Sequence, residues 1–461
     1  MQTPGSPRRN RSAQAAQAAC PGLINLVQAV DGGLCRIRLA GGRMTAAQAR
    51  ALAVAARKHG AGPLETTNRA NLQLRGIRAE AGPGLIQALI DAGLGPLPAS
   101  DVVDPVALSR RDARRNVMIS PLAGIDPLMR IDTSALAADL LQAMQQDAAL
   151  DGLSPKFAVL LDGGERLVDR RHPHDIWLGI DQRDLPQPPG LWLGLASAPA
   201  VPLHCPGYIA PQDAVTTVLA LMRAFMELAT TDQLRMRDVL ADQGLQPLLS
   251  RARRHGARLK LATPPAGALP GATGVEPPLD PARLGQQPQA GGDLCLVGFQ
   301  APLARLDADM LEGLAALSSQ LGRGELRFTP WQGGLLPHIR AVDGPAALTG
   351  LRQLGLITDA ADPLARLLAC AGRRGCARTQ ADTKADALRL ARAELPATGI
   401  HLSGCPRSCA AASPAGHTLL AVDGNHYDLY RRGSGRDFGE CLGRHLTLEM
   451  ATGIMRLPAA E

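Results

Sequence analysis

The sequence predicts a mixed α+β protein in which one strand–helix–strand unit occurs twice and alternates with a second, α/β type of segment. Residues 41–79 recur without gaps within segment 302–341, at an offset of 262 residues. The copies are separated by residues 262–292, a stretch rich in Pro, Gly and Ala with no periodicity, which reads as a linker. All the closely spaced cysteines fall after the second copy.

The repeat can be followed residue by residue. Arg43, Leu52, Gly62, Leu64 and Thr67 align with Arg305, Leu314, Gly324, Leu326 and Thr329. Leu74, Ile77, Arg78 and Ala79 align with Leu336, Ile339, Arg340 and Ala341. Thr45 and Asp307 stand where a side-chain oxygen can cap a first helical turn. Gly60 and Gly322 stand where a left-handed glycine would end the helix. About four turns of good helix formers lie between the caps. Apolar runs at 34–40 and 293–299 precede the helices, and a β-type run follows each. Between the copies, residues 116–120 and 156–162 read as strands, and Thr133–Gln146 and Ala214–Ala229 as helices. The plan is a tail (1–20), a first repeat unit (21–100), an α/β domain (101–261), the linker (262–292), a second repeat unit (293–356) and a cysteine-bearing domain (357–461).

The chain has 461 residues, more than one hydrophobic core normally serves. Hydrophobic residues make up 46% and charged residues 20%, which is globular rather than disordered. Aromatics are only 2%, too few for stacking readers of single-stranded nucleic acid. The net charge of +7 suits a polyanionic small ligand better than a duplex. Arg8, Arg9 and Arg11 sit in a tail without an apolar run, so no signal peptide is expected there. The sequence is read as cytoplasmic, with no nucleic-acid and no membrane partner.

Cys370 and Cys376 are spaced C-x5-C, Cys405 and Cys409 C-x3-C, with 28 residues between the pairs. Four thiolates on two Gly- and Pro-containing loops match the needs of a [4Fe–4S] cluster, in which each iron takes one terminal sulfur. Arg373, Arg374 and Arg407 lie beside them and favour thiolate over thiol. A structural zinc is the competing reading, although zinc usually takes C-x2–4-C in both halves. Cys20, Cys35, Cys205, Cys295 and Cys441 are isolated and read mostly as buried, inert thiols.

C-x5-C followed by G-C-P-x-S-C resembles the siroheme-dependent nitrite and sulfite reductase family. Thr66–Ile77 (TTNRANLQLRGI) resembles its Arg-containing tetrapyrrole-binding strand, Arg114–Gly124 (RRNVMISPLAG) its R-N-V element and Leu153–Gly164 (LSPKFAVLLDGG) its L-P-x-K-F element. The resemblance implies two ferredoxin-like half-domains forming a pseudo-twofold repeat, alternating with two α/β nitrite/sulfite reductase-type domains, the second binding the cluster. It is nearest to the oxygen-dependent branch of the family that acts in aerobic cobalamin (vitamin B12) biosynthesis. The run R-A-N-L-Q-L-R-G at 69–76, Ala158 where sulfite reductases often carry a lysine, and the short continuation after the second cysteine pair point to that branch. By resemblance, such an enzyme is a monooxygenase that takes precorrin-3A, oxygen and reducing equivalents, hydroxylates C20 and closes a γ-lactone. A siroheme-dependent nitrite or sulfite reductase is the alternative, and a non-catalytic tetrapyrrole or cluster carrier the third reading.

A precorrin is a polycarboxylate, and basic residues bind carboxylates through charged hydrogen bonds. Arg69, Asn71, Gln73 and Arg75 share one face if their strand is regular, and Arg115 and Lys156 are expected to bind the same substrate. The second copy has Trp331 at the position of Arg69 and Pro337 at that of Arg75, so the basic face occurs in one copy only. His172, His174, His204 and His401 are candidate ligands for an additional mononuclear non-heme iron. The nearest approach to a dinucleotide-binding G-x-G-x-x-G, at 433–438, lacks its third glycine. Electrons are therefore expected from an external donor, a reductase or ferredoxin.

Overall fold

A computed structural model describes residues 20–59, 62–97, 104–180, 190–197, 203–264, 281–411, 415–432 and 438–456. Gly60, the tail 1–19 and residues 433–437 lie outside them. The first repeat unit runs β1 (Val27–Ala29), β2 (Gly32–Ile37), β3 (Arg43–Thr45), α1 (Ala46–Lys58), β4 (Leu64–Thr66), β5 (Leu72–Ile77) and α2 (Gly82–Asp91). The first α/β domain follows with α3 (Pro105–Ala113), β6 (Val117–Ile119), α4 (Ser134–Gln146), β7 (Val159–Asp162), β8 (His174–Gly179), β9 (Leu191–Ser197) and β10 (His204–Ile209). It ends with α5 (Ala214–Leu228), α6 (Met236–Gln243), α7 (Leu245–Arg254) and β11 (Lys260–Leu261).

The second repeat unit runs β12 (Gly285–Pro288), β13 (Leu294–Gln300), β14 (Arg305–Leu306), α8 (Ala308–Leu321), β15 (Glu325–Phe328), β16 (Gly333–Arg340) and α9 (Gly344–Gln353). The second α/β domain contains β17 (Leu367–Ala369), α10 (Thr383–Leu390), β18 (Ile400–Ser403), β19 (His417–Ala421), β20 (Tyr427–Arg431), β21 (Glu440–Leu446) and α11 (Leu448–Met455). The chain divides into two compact units. One comprises residues up to 27, 35–43 and 86–271; the other comprises 28–34, 44–85 and 272–461.

The 262-residue offset extends to the backbone. Helices α2 and α9 begin and end at equivalent residues, and α1 and α8 begin at equivalent ones. Left-handed residues recur in register: Gly41 with Leu303, Gly42 with Ala304, Ala70 with Gln332, Gly76 with His338 and Gly93 with Gly355. Thr45 caps α1 by accepting from the Gln48 N–H, and the Gln48 side chain returns a bond to the Thr45 N–H. Asp307 caps α8 at Met310.

Two sheets exchange their edges. Their orders are β1-β2-β5-β4-β14 and β12-β13-β16-β15-β3. Thus β14 of the second copy pairs with β4 of the first, Arg305 opposite Glu65, while β3 of the first copy sits beside β15 of the second.

The two α/β domains also repeat each other. In the first, β6, β7 and β8 are parallel and β9 and β10 antiparallel, with β11 added at the edge. In the second, β17, β18 and β19 are parallel and β20 and β21 antiparallel. The first is filled by one large core that includes Phe157, Leu161, Leu178, Val218 and Phe225. The second closes over Leu367, Ile400, Leu402, Leu419 and Tyr427.

Several expectations are corrected. Gly322 is not left-handed (φ −121°); the left-handed turn after α8 falls at Gly324 (φ 71°), which bonds back to the Ser318 carbonyl. Residues 285–288, inside the expected linker, form β12, because their backbone can extend the sheet beside β13. The strand expected to start at Arg69 starts at Leu72. Residues 67–71 form a hairpin turn closed by the Thr67 N–H on the Asn71 carbonyl, with Ala70 left-handed (φ 56°). Cys35 and Cys295 are buried, but Cys441 is exposed. Among the described residues no helix is long and apolar enough to cross a membrane.

Candidate functional site

The four grouped cysteines meet because their strands are parallel neighbours. Ala369 at the end of β17 lies opposite Leu402 near the end of β18, so the loops leaving both strands emerge side by side at the carboxyl edge of the sheet. Cys370 directly follows β17, and Cys405 follows β18 after Gly404. The thiols are close enough to act on one another. Burial first, then the charges of Cys405, Cys370 and Cys376, raise the pKa of Cys409 against the opposing Arg407. Four thiolates disfavour each other in this way until a cationic iron core offsets the repulsion.

The surrounding donors fit a cluster. The Gly404 N–H points at Cys370 Sγ at 3.2 Å. Thr383 Oγ1, which donates to the Cys370 carbonyl at 2.9 Å, lies 3.5 Å from the same sulfur. Such groups orient thiolate ligands and tune the metal. Gly372 is left-handed (φ 65°), and a Cβ there would meet the Thr383 N–H at 2.9 Å. Ser408, also left-handed, turns the second loop between Cys405 and Cys409. His401 is wholly buried on β18, its Nδ1 facing Ser408 Oγ at 3.5 Å. Burial lowers its pKa to about 4, leaving the ring neutral.

In the first α/β domain the corresponding loops carry carboxylates and arginines instead. Asp126 accepts from the backbone and guanidinium of Arg166. Asp162 binds Arg170 through both oxygens. Glu165 is fully buried beside them, and burial first, then Asp162, raises its pKa to about 7.

The hairpin turns of both repeat units reach the cysteine loop. Asn68 donates to the Cys409 carbonyl at 3.3 Å, and Gln332 to the Ala410 carbonyl at 2.8 Å. Thr66 Oγ1 joins the two turns by donating to the Gln332 carbonyl. Arg69 is half-buried in the first turn, and Asn71 is buried behind it. Gln73 and Arg75 lie on β5. Gln73 donates to Glu65 at 2.7 Å. Arg75 forms a two-point bond with Asp31 at 2.7 and 2.9 Å and donates to the Gly375 carbonyl beside Cys376.

Glu65 and Lys384 escaped the sequence reading. Both are about 4% exposed and lie 3.3 Å apart. Burial would raise the pKa of Glu65, but Lys384, Arg75 and Gln73 outweigh it and hold the group below its ordinary value. Lys384 also donates to the Leu303 carbonyl. A lysine in the first turn of a helix gives no sign in sequence that it points inward.

Arg115 and Lys156 belong to the other unit. The Arg115 guanidinium donates to the Leu94 and Arg38 carbonyls at 2.9 Å and contacts Asp112 at 3.4 Å. Lys156 is exposed in a turn before β7. The candidate iron histidines do not form a ligand set with one another. The ring nitrogens Nδ1 of His172 and His174 face backbone carbonyls, and His204 is exposed at the start of β10.

A family model described as the nitrite/sulfite reductase ferredoxin-like half domain matches residues 27–92 and 287–354. A second, described as the nitrite and sulphite reductase 4Fe-4S domain, matches 111–258. That match covers the first α/β domain, while the four grouped cysteines lie in the second. A precorrin-3B synthase from Sinorhizobium sp is 30% identical over 88% of this chain and 81% of its own. Chloroplastic ferredoxin–nitrite reductase of Zea mays is 28% identical over 82% of this chain and 67% of its own. A ferredoxin–nitrite reductase from Synechococcus elongatus is 28% identical over 82% of this chain and 73% of its own. The solved structure of the Mycobacterium tuberculosis NirA protein covers 93% of this chain and 82% of its own, with a TM-score of 0.72 at 20% identity. The duplicated ferredoxin-like units, the α/β domain that follows each of them and these matches agree: the chain belongs to the nitrite/sulfite reductase family of oxidoreductases.

Proposed function

We propose that the chain is a precorrin-3B synthase, hydroxylating precorrin-3A at C20 and closing the γ-lactone with oxygen as co-substrate. The observation that carries this reading is the 30% identity to a precorrin-3B synthase across 88% of the chain. Cys370, Cys376, Cys405 and Cys409 would hold a [4Fe–4S] cluster, which when bound passes single electrons from an external donor such as a ferredoxin. One oxygen atom enters the product. The other leaves as water with two electrons from the donor and two protons.

Arg69, in the turn beside the cysteine loop, offers its guanidinium to a substrate carboxylate, and Asn71 supports that turn. Lys156 is a second candidate cation. Arg75 and Arg115, whose donors are engaged by protein acceptors, act as positioning residues, as does Gln73 on Glu65. The reductase reading is favoured by the nitrite reductase relatives at 28% identity, and siroheme belongs to it alone.

The deciding experiment is anaerobic purification followed by assay. The synthase reading expects cluster absorption without siroheme bands, and one labelled oxygen atom in the corrinoid product made under labelled oxygen gas. Tightly held siroheme with nitrite- or sulfite-dependent oxidation of a reduced donor, and no labelled product, would select the reductase.

A further inference from the structure

The second α/β domain gathers another ligand set, at the start of β20. Asp423 and His426 lie in the turn between β19 and β20, and His445 lies near the end of β21. One ligand atom from each falls within 4.8 Å of the others. His426 Nδ1 stands 3.1 Å from both Asp423 oxygens, and His445 Nε2 stands 3.2 Å from Oδ2. The two imidazoles stack with centroids 4.0 Å apart and planes 17° from parallel.

These spacings have a coordination meaning. Two ligands at about 2.0–2.1 Å from one tetrahedral zinc ion stand about 3.3 Å apart. The nitrogen–oxygen separations here are close to that edge length; because an imidazole lone pair lies in its ring plane, the exposed His445 ring must turn out of the stack to aim Nε2 at the same ion. The set is also held from outside. Asp423 Oδ1 accepts the backbone N–H groups of Asn425 and His426 at 2.8 and 2.9 Å, which orients the carboxylate. Outer bonds of this kind accompany metal-binding carboxylates. His445 is left-handed (φ 52°), and its N–H is held by Asp428 Oδ1 at 2.9 Å. The pairing of Tyr427 with Leu446 brings the two histidines side by side. Asp423, His426 and His445 share no residue with the cysteine loops.

We propose that Asp423, His426 and His445 bind one divalent transition-metal ion of the zinc type. Water completes its coordination, because all three side chains are at least a third exposed or nearly so (39%, 32% and 60%). The ion ties β21 to the β19–β20 turn. Two imidazoles and a carboxylate form a borderline donor set that prefers zinc-like ions to magnesium or calcium.

The test uses the full-length protein with its cluster reconstituted, washed with a chelator and then titrated with zinc sulfate by equilibrium dialysis. The expected result is one zinc retained per chain, with binding at least tenfold weaker in His426→Ala and His445→Asn. Asparagine tolerates the left-handed backbone, so His445→Asn removes the ligand while keeping the turn. An unchanged thermal midpoint without zinc checks that each variant folds. The zinc absorption edge should show nitrogen and oxygen neighbours at about 2.0–2.1 Å with imidazole scattering. Equal zinc binding by both variants, a sulfur shell at about 2.3 Å, or no zinc retained by the parent protein would overturn the proposal.

Discussion

The Arg75 guanidinium donates to the carbonyl of Gly375, the residue before Cys376. The same group holds Asp31 through two bonds and is about 6% exposed. It therefore links β5 to the first cysteine loop. Arg75→Ala should remove charged hydrogen bonds of about 1.5–3 kcal/mol each and loosen Cys376. The expected result is faster loss of iron and sulfide on exposure to air, with a lower urea midpoint. Iron analysis over time checks it, and unchanged iron retention would show that Arg75 does not position the cysteine loop.

Gly404 has no room for a side chain. A Cβ there would lie 2.6 Å from the Thr379 side chain, while its N–H must keep pointing at Cys370 Sγ. Gly404→Ala should cost about 1–3 kcal/mol through overpacking and shift the N–H away from the sulfur. Lower cluster content with a retained far-ultraviolet circular dichroism spectrum is the expected readout.

Glu165 and His174 should give the first α/β domain opposing pH slopes. Burial raises the Glu165 pKa to about 7, so its stabilising effect is complete below its unfolded value of about 4.3 and is lost as pH rises through 7. Burial lowers the His174 pKa to about 4, so its effect is complete above about 6.5 and is lost as pH falls through 4. Each amounts to about 3–4 kcal/mol in all. Glu165→Gln should expose a stability that rises with pH between about 4.5 and 6.5, and His174→Gln one that falls across the same range. Urea unfolding of both variants at several pH values, followed by the fluorescence of Trp177 and Trp192, checks the signs.

Ala70 is left-handed without a glycine's freedom. Replacing it with Gly should relieve a conformational cost of about 1–2 kcal/mol, less about 0.5–1 kcal/mol of added chain entropy. Ala70→Gly is expected to raise the thermal midpoint slightly. A fall would show that the methyl group packs against the cysteine loop more than the backbone is strained.

The repeat and the grouping of the four cysteines on two neighbouring loops were legible because both rest on local sequence signals. Thr45 and Asp307 cap their helices as expected, and the parallel pairing of β17 with β18 makes two separate spacing motifs into one site. The left-handed Ala70 and Gln332 were not legible, because neither residue type announces that conformation, and the turn at 67–71 broke the alternation assumed for Arg69 to Arg75. Lys384 was hidden because its partner Glu65 is brought to it only by tertiary packing. The same holds for His445, which meets His426 through the pairing of β20 with β21.

The exchange of β3 and β14 between the two repeat sheets constrains how the chain can be made. When the first copy leaves the ribosome, β4 has an open edge, since its neighbour β14 has not yet been synthesised. That edge closes only by a contact spanning more than half the chain, and such long-range pairing is slow to form. An exposed strand edge is also a template for misassociation. Newly made protein should therefore depend on chaperones until the second copy emerges. A fragment ending within residues 262–292 would keep β4 open permanently and should aggregate, even though it contains every residue of the first repeat unit.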